Sequence, residues 1–448
     1  MGRLFGTDGV RGVANTYPMD AETALSIGRA AARYFKTNQD DDQFIVIGQD
    51  TRLSGDMIAQ AVGAGICSAG MNVSLVGILP TPAVAFLTHK MGAAAGVVIS
   101  ASHNPFADNG IKLFNSNGYK LDDQAEDEIE ALMEQAAAPV APNRTGRSLD
   151  NEDASEQYLS FLQNGFAELN LNGIKMVVDC SNGATYQVAP ELFRRLGAKV
   201  IPIHAAPDGT NINADCGSQH PQDMARQVVR HQADLGLAFD GDGDRLVAAD
   251  EKGNLLTGDQ IIAICANHLK NKGKLKNNKV VTTIMSNMGF RLAMKTLGIG
   301  HFATQVGDRY VMQEMLAQDA ILGGEDSGHM IFRDQHTTGD GILAAVRLLE
   351  ALQAENAPLS TLSKVMKVFP QILINVDVLT KPDLNSIPEI MDAIKAAENQ
   401  LGDQGRVLVR YSGTQAQCRV MVEGPTRDIT YQLCQQIADA VRNSLAAE

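Results

Sequence analysis

Gly96-Val97-Val98-Ile99-Ser100-Ala101-Ser102-His103-Asn104-Pro105 is the stretch from which the rest of the chain can be read. Val97 to Ile99 is a β-branched run, too short for a helix and apolar enough for a buried strand. It breaks into Ser, His, Asn and Pro, with Asp108-Asn109-Gly110 just beyond, so the chain turns there. Ile111, Leu113 and Phe114 form a second apolar run that carries Lys112 back past the turn. This order predicts the Ser102 hydroxyl at the exposed mouth of a strand. In that position Ser102 reads as a nucleophile and phosphoryl carrier, with His103 and Lys112 near it.

Outward from this stretch, helix and strand patterns alternate, which predicts an α/β layer architecture. Ala21 to Tyr34 and Ile58 to Ala69 read as helices, Phe44 to Ile47 and Val73 to Gly77 as strands, and Pro80-Thr81-Pro82 as a turn. Ala136 to Glu152, rich in Ala, Pro, Asn and Ser, reads as a linker. A second α/β pattern follows, with strands at Met176 to Asp179, Val200 to Ile203 and Leu235 to Phe239. A third begins near Leu255 and includes the helix Gln260 to Leu269, the strand Val280 to Ile284 and the helix Gly341 to Gln353. After Phe369 the pattern becomes α+β and closes with the helix Ile429 to Leu445. The expected domains are therefore 1–150, 151–253 and 254–367, all α/β with mixed sheets, and a smaller α+β domain at 368–448.

The chain has 448 residues and a net charge of −14, from 38 basic and 52 acidic side chains. That balance argues against nucleic acid or an anionic membrane as the main partner, since both call for a basic face. An anionic small molecule is still compatible if the basic groups gather in one cleft. The six cysteines are scattered with no CxxC pair, which predicts reduced thiols and a cytoplasmic location. No segment reads as a signal peptide or membrane span.

Asp240-Gly241-Asp242-Gly243-Asp244-Arg245 is the sharpest motif. Carboxylates at i, i+2 and i+4 with glycines between can turn their oxygens onto one hard cation such as Mg²⁺. The spacing imitates an EF-hand loop with Glu251 at its twelfth position. Arg245 stands where that loop needs glycine, however, and the flanks read as strands. Arg245 is better suited to a phosphate oxygen. Together with Ser102, this metal loop points to phosphoryl transfer, and the lack of a G-x-S-x-G elbow around Ser102 weighs against acyl transfer. Gly323-Gly324-Glu325-Asp326-Ser327-Gly328-His329 puts a carboxylate, a hydroxyl and an imidazole on a glycine-flexed loop, as a grip on sugar hydroxyls requires. Arg410-Tyr411-Ser412-Gly413-Thr414 and Arg419 read as an anion nest without a Walker motif. Phe5 to Gly12 is a further glycine-rich turn and bears Arg11.

In their order along the whole chain, these motifs resemble the α-D-phosphohexomutase family. Phe5 to Gly12, Pro207 to Asn213 and Cys216 to Pro221 are most like its bacterial glucosamine-phosphate branch. The resemblance implies four domains arranged heart-shaped around a central cleft. It implies a phosphoserine at Ser102, and one Mg²⁺ held by Ser102, Asp240, Asp242 and Asp244. Glu325 and Ser327 would hold the sugar, and Arg245 a phosphate. Arg410, Ser412, Gly413, Thr414 and Arg419 would hold the non-reacting phosphate. Lys112, His329, His103 and Arg11 would serve the chemistry. The implied reaction interconverts hexosamine 6- and 1-phosphates through a 1,6-bisphosphate, feeding amino-sugar and cell-wall precursors. Mannose or glucose phosphates are the alternative substrates, and a monomer or homodimer is expected. Two positions depart from the family pattern: Gln415-Ala416 replaces Glu-Pro, and Asp326 stands where the glucosamine branch has Gln.

Overall fold

The computed structural model describes residues 4–6, 8–36, 43–136, 139–412 and 416–445. They form two compact units: unit 1 is Met1–Ile284 with Ile299–Lys364, and unit 2 is Met285–Gly298 with Val365–Glu448. Among the described residues, no helix is long and apolar enough to cross a membrane.

Unit 1 contains three sheets. The first takes β1 (Val10–Val13), β2 (Phe44–Gln49), β3 (Asn72–Ile78), β4 (Ala95–Ile99), β5 (Asp108–Asn115) and β6 (Ser148–Asp150) in the order β1-β5-β4-β2-β3-β6. β5 runs antiparallel to both its neighbours, and β2, β3, β4 and β6 run parallel. Ile45, Ile47, Val97 and Ile99 are fully buried against Ile27, Val62 and Ile66 of the helices Ala21–Phe35 and Gly55–Ser68. The second sheet takes β7 (Lys175–Asp179), β8 (Lys199–Ile203), β9 (Leu235–Phe239), β10 (Leu246–Asp250) and β11 (Leu255–Leu256) in the order β11-β10-β9-β7-β8. The third takes β12 (Lys279–Thr283), β13 (Gly300–Thr304), β14 (Leu322–Gly324) and β15 (Met330–Phe332) in the order β13-β12-β14-β15. Both mix parallel and antiparallel pairs, as expected of the fold class. Unit 2 packs the antiparallel strands β16 (Gln371–Asp377), β17 (Arg406–Tyr411) and β18 (Gln417–Glu423), in the order β16-β18-β17, against the helices Pro388–Leu401 and Arg427–Leu445.

Two sequence expectations need correction. The segment read as a linker contributes β6, because β3 has an open edge: Val73 N donates to Arg147 O at 2.7 Å and Arg147 N to Asn72 Oδ1 at 2.9 Å. The Pro80-Thr81-Pro82 turn opens the helix Thr81–Lys90, whose first turn tolerates Pro82 since that N–H has no partner to lose.

The loops that matter leave the carboxyl ends of β4, β9 and β14, the usual ligand-bearing edge of a parallel arrangement. The loop after β9 is tied to both other sheets. Thr81 N donates to Asp242 O at 2.9 Å, Gly341 N to Gly243 O at 3.0 Å, and Arg245 pairs with His329 as an isolated bridge.

Asp340 caps the helix Gly341–Glu355 by accepting Leu343 N at 2.9 Å, and it also accepts Tyr158 OH at 2.8 Å. Complete burial pushes its carboxyl up to about 6, although these two hydrogen bonds oppose the rise. A carboxyl whose folded pKa lies above its unfolded value stabilises the fold at low pH. That stability is lost as pH rises through the folded value. The rise from the ordinary 3.8 to about 6 corresponds to about 3 kcal/mol. Denaturant unfolding followed between pH 4 and about 6.5 should show this decline in the native chain, and Asp340→Asn should flatten it.

Candidate active site

Ser102 adopts φ +53, a left-handed conformation that costs a non-glycine residue energy and has to be held. Three groups hold it. Ser102 N donates to Ser100 Oγ at 3.0 Å, and Ser102 O accepts Arg52 at 3.1 Å and Asn213 Nδ2 at 2.9 Å. The same Arg52 and Asn213 groups reach Asn104 O at 2.6 and 2.9 Å, clamping both sides of the turn. Arg52 pairs in turn with Asp50, which also accepts the Ser100 hydroxyl. The expectation of an exposed serine is therefore wrong: Ser102 is 2% exposed, because this clamp and the loop after β9 close over it.

The Ser102 hydroxyl donates to Asp240 Oδ2 at 2.6 Å. Asp242 Oδ2 accepts Thr81 Oγ1 and Lys112 Nζ, both at 2.7 Å. Asp244 Oδ2 lies 3.5 Å from His329 Nδ1. One oxygen from each of the three aspartates falls within 4.8 Å of the others, and all three residues are buried. Asp242 Oδ1 and Asp244 Oδ1 are buried without a hydrogen-bond partner. Burial, with the charges of Asp244 and Asp242, pushes the Asp240 carboxyl well above the ordinary range. Against the same burial, Lys112 keeps Asp242 below it. Asp244 is also kept low, by His329, against burial and the charge of Asp242. Orphaned oxygens and crowded carboxylates are what a hard divalent cation satisfies, so these residues fit Mg²⁺.

The cleft beside the triad is a cavity of about 520 Å³ lined by Arg11, Ser102, His103, Arg245, Glu325 and His329 among others. His103 Nδ1 lies 3.4 Å from Ser102 Oγ. Burial, then the charges of Arg245 and Arg11, bring its ring down to about 4, so it is neutral at physiological pH. His329 is raised despite burial because it stands between Asp244 and Asp308. Lys112 is fully buried, yet Asp242 and Asp8 hold it above the usual lysine value. Arg245 N donates to Asp240 Oδ1 at 3.1 Å, fixing the loop's return. Glu325 Oε1 accepts Gly307 N at 3.1 Å, whereas Ser327 is exposed and does not line this cavity. Glu251 bonds Ser360 instead of the triad, consistent with a loop that is not an EF-hand.

In unit 2, Arg410 and Arg419 are direct cross-strand partners on β17 and β18. Burial and the neighbouring Arg419 charge lower Arg410 from its usual value. Ser412 is buried, and its carbonyl accepts Lys381 Nζ at 2.6 Å. Gly413 and Thr414 lie outside the described residues.

Several residues escape sequence reasoning. Arg52 and Thr81 carry no motif, and Asn213 ends the Pro207 to Asn213 run with no role assigned to it; they reach the site from 50 to 161 positions away. Asp8, Lys120 and Asp308 form a charged bridge at the cavity wall, with Lys120 Nζ 2.5 Å from Asp308 Oδ2 and also paired to Asp8. A signal existed for two of these: Asp8 and Asp308 each sit beside glycine in turn-like runs.

A buried serine bonded into a three-carboxylate loop that could hold a metal ion, with cations around an open cleft, is the constellation of a phosphoryl-transfer enzyme. Residues 2–139, 156–253 and 257–369 match Phosphoglucomutase/phosphomannomutase alpha/beta/alpha domains I, II and III, and residues 373–440 match the C-terminal domain. The chain belongs to the phosphoglucomutase/phosphomannomutase family. It is 55% identical to a phosphoglucosamine mutase of Syntrophus aciditrophicus, over 99% of this chain and 100% of that one. To a phosphoglucosamine mutase of Syntrophobacter fumaroxidans it is 54% identical, over the same shares. A family protein from Burkholderia thailandensis has the same fold, with a TM-score of 0.83 at 23% identity over 99% of both chains. So does Aspergillus fumigatus N-acetylphosphoglucosamine mutase, solved with GlcNAc-6P and magnesium, with a TM-score of 0.68 at 17% identity over 98% and 96% of the chains.

Gly241 tests how tightly the serine is seated. A Cβ there would meet Ser102 O at 2.5 Å and Asn213 Nδ2 at 2.7 Å. Gly241→Ala should lower kcat by about 10²-fold, the usual cost of a displacement near 1 Å at a reacting group, with the fold retained by circular dichroism.

Proposed function

We propose that this enzyme interconverts glucosamine 6-phosphate and glucosamine 1-phosphate, with Ser102 as the phosphoryl carrier. The observation that carries the reading is the hydrogen bond from Ser102 Oγ to Asp240, inside a buried carboxylate set with two unpartnered oxygens. The substrate assignment is supported by the full-length likeness to phosphoglucosamine mutases.

In the forward direction, phospho-Ser102 meets the free hydroxyl of the sugar phosphate. The Ser102 Oγ–P bond breaks as the sugar oxygen forms its own bond to phosphorus, giving a 1,6-bisphosphate and free Ser102. Neutral His103 takes the proton of the incoming hydroxyl. Lys112 and His329, both kept cationic by carboxylates, balance charge at the leaving Ser102 oxygen and return a proton to it. Arg11 and Arg245, which line the same cavity as Ser102, are assigned to the oxygens of the transferring phosphate. The bisphosphate then turns end for end, since one serine serves both ends, and Ser102 takes back the other phosphate. One Mg²⁺ held by Asp240, Asp242, Asp244 and the Ser102 phosphate would supply Lewis-acid stabilisation of the phosphoryl charge.

Glu325 and Ser327 are assigned to the sugar. Arg410, Ser412, Gly413, Thr414 and Arg419 are assigned to the phosphate that does not react. The crowding of two guanidinium groups across β17 and β18 supports that assignment, because an anion relieves it. The four family segments support domains close to 1–150, 151–253, 254–367 and 368–448. A cytoplasmic location is part of the same proposal, supported by six free cysteines of which five are buried.

Ser102→Ala should lower turnover by roughly 10⁴-fold or more while keeping a cooperative melt, as loss of a covalent nucleophile does. Rates compared across the 6-phosphates of glucosamine, glucose and mannose should favour glucosamine. A clear preference for glucose or mannose would overturn the substrate assignment and leave the Ser102 chemistry standing.

A further inference from the structure

Behind the serine clamp, on the second sheet, lies a cluster that the phosphoryl chemistry does not use. Asp179 ends β7, His204 follows β8, and Cys216 lies in the loop that precedes the helix Gln222–His231. One ligand atom from each of the three falls within 4.8 Å of the other two. Asp179 and Cys216 are buried, and His204 is half-buried.

His204 Nδ1 is a buried nitrogen 3.1 Å from Asp179 Oδ2, and this carboxylate raises the ring above its usual value. The other ring nitrogen, Nε2, faces Asp223 Oδ2 at 3.7 Å, the outer carboxylate that commonly orients a ligating imidazole. Asp179 is fixed from behind, with Ser181 N donating to Oδ1 at 2.9 Å and Gly217 N to Oδ2 at 3.0 Å. Each oxygen keeps a second lone pair. His204 itself holds φ +45, a strained backbone that sets its ring.

We propose that Asp179, His204 and Cys216 form a second metal site, separate from the aspartate triad, for a borderline divalent cation of the Zn²⁺ class. A carboxylate, an imidazole and a thiolate match that class of metal, and the thiolate selects against Mg²⁺. Burial and the carboxylates of Asp179 and Asp215 hold the Cys216 thiol up at about 12, so loading releases its proton to solvent. The site also has a structural consequence. Asn213 N donates to Ser181 O at 2.9 Å and Asn182 N to His204 O at 2.6 Å, so a metal here tightens the loop whose Asn213 side chain clamps Ser102. This inference stands apart from the substrate assignment.

Cobalt titration of the full metal-stripped chain tests it, because a thiolate bound to Co²⁺ gives a sulfur-to-metal charge-transfer band that oxygen ligands cannot give. One equivalent should produce the band, and excess Mg²⁺ should leave it in place. Cys216→Ser should abolish the band, and His204→Ala should weaken binding by more than the roughly 10–100-fold typical of an outer-shell change. Cys180→Ser, which alters the neighbouring thiol, and Asp242→Ala, in the triad, should both keep it. Absence of a thiolate band, or its survival in folded Cys216→Ser, would overturn the proposal, as would unchanged affinity in His204→Ala.

Discussion

Three carboxylates buried within 4.8 Å of one another are the constraint on which the rest of unit 1 depends. Like charges at that distance, out of water, repel strongly unless counter-charges are built around them. The chain answers with Lys112 on Asp242, His329 beside Asp244 and the Arg245 backbone on Asp240. These groups come from β5, from the loop between β14 and β15, and from the triad loop itself, so assembling the triad draws the three sheets of unit 1 together. The compensation is incomplete, leaving two oxygens without partners and Asp240 pushed toward protonation. That residual demand is what a hard divalent cation would meet.

The serine is built with equal attention to backbone. A left-handed φ at a non-glycine residue persists only where the surroundings fix it. Arg52 and Asn213 fix it from opposite sides by sharing the carbonyls of Ser102 and Asn104. Gly241 lets the metal loop approach within contact of that carbonyl. Strain at Ser102 is thus supported by neutral and cationic donors that do not themselves touch its hydroxyl.

Much of this was legible in the sequence because the informative residues are local. The strand before Ser102 and the glycine-spaced aspartates could be read from spacing and turn chemistry, and the structure has them as a buried strand and a buried carboxylate cluster. Ser102's burial was not legible, since it arises from Asn213, 111 positions away, and Asp240, 138 positions away. β6 was hidden because a three-residue edge strand inside a polar segment carries no periodic signal. The bridge of Asp8, Lys120 and Asp308 was only partly legible: glycines mark the runs of Asp8 and Asp308, but Lys120 and Asp308 lie 188 positions apart.

Whether Ser102 relays a phosphate or delivers it to water separates a mutase from a phosphatase. The direct measurement is to label the chain at Ser102 with a hexose bisphosphate carrying radioactive phosphorus, add unlabelled glucosamine 6-phosphate, and follow the label. Label that appears on one residue, Ser102, and then passes into glucosamine phosphates is the predicted result. Label that never reaches Ser102, or that leaves it mainly as inorganic phosphate, would contradict the account.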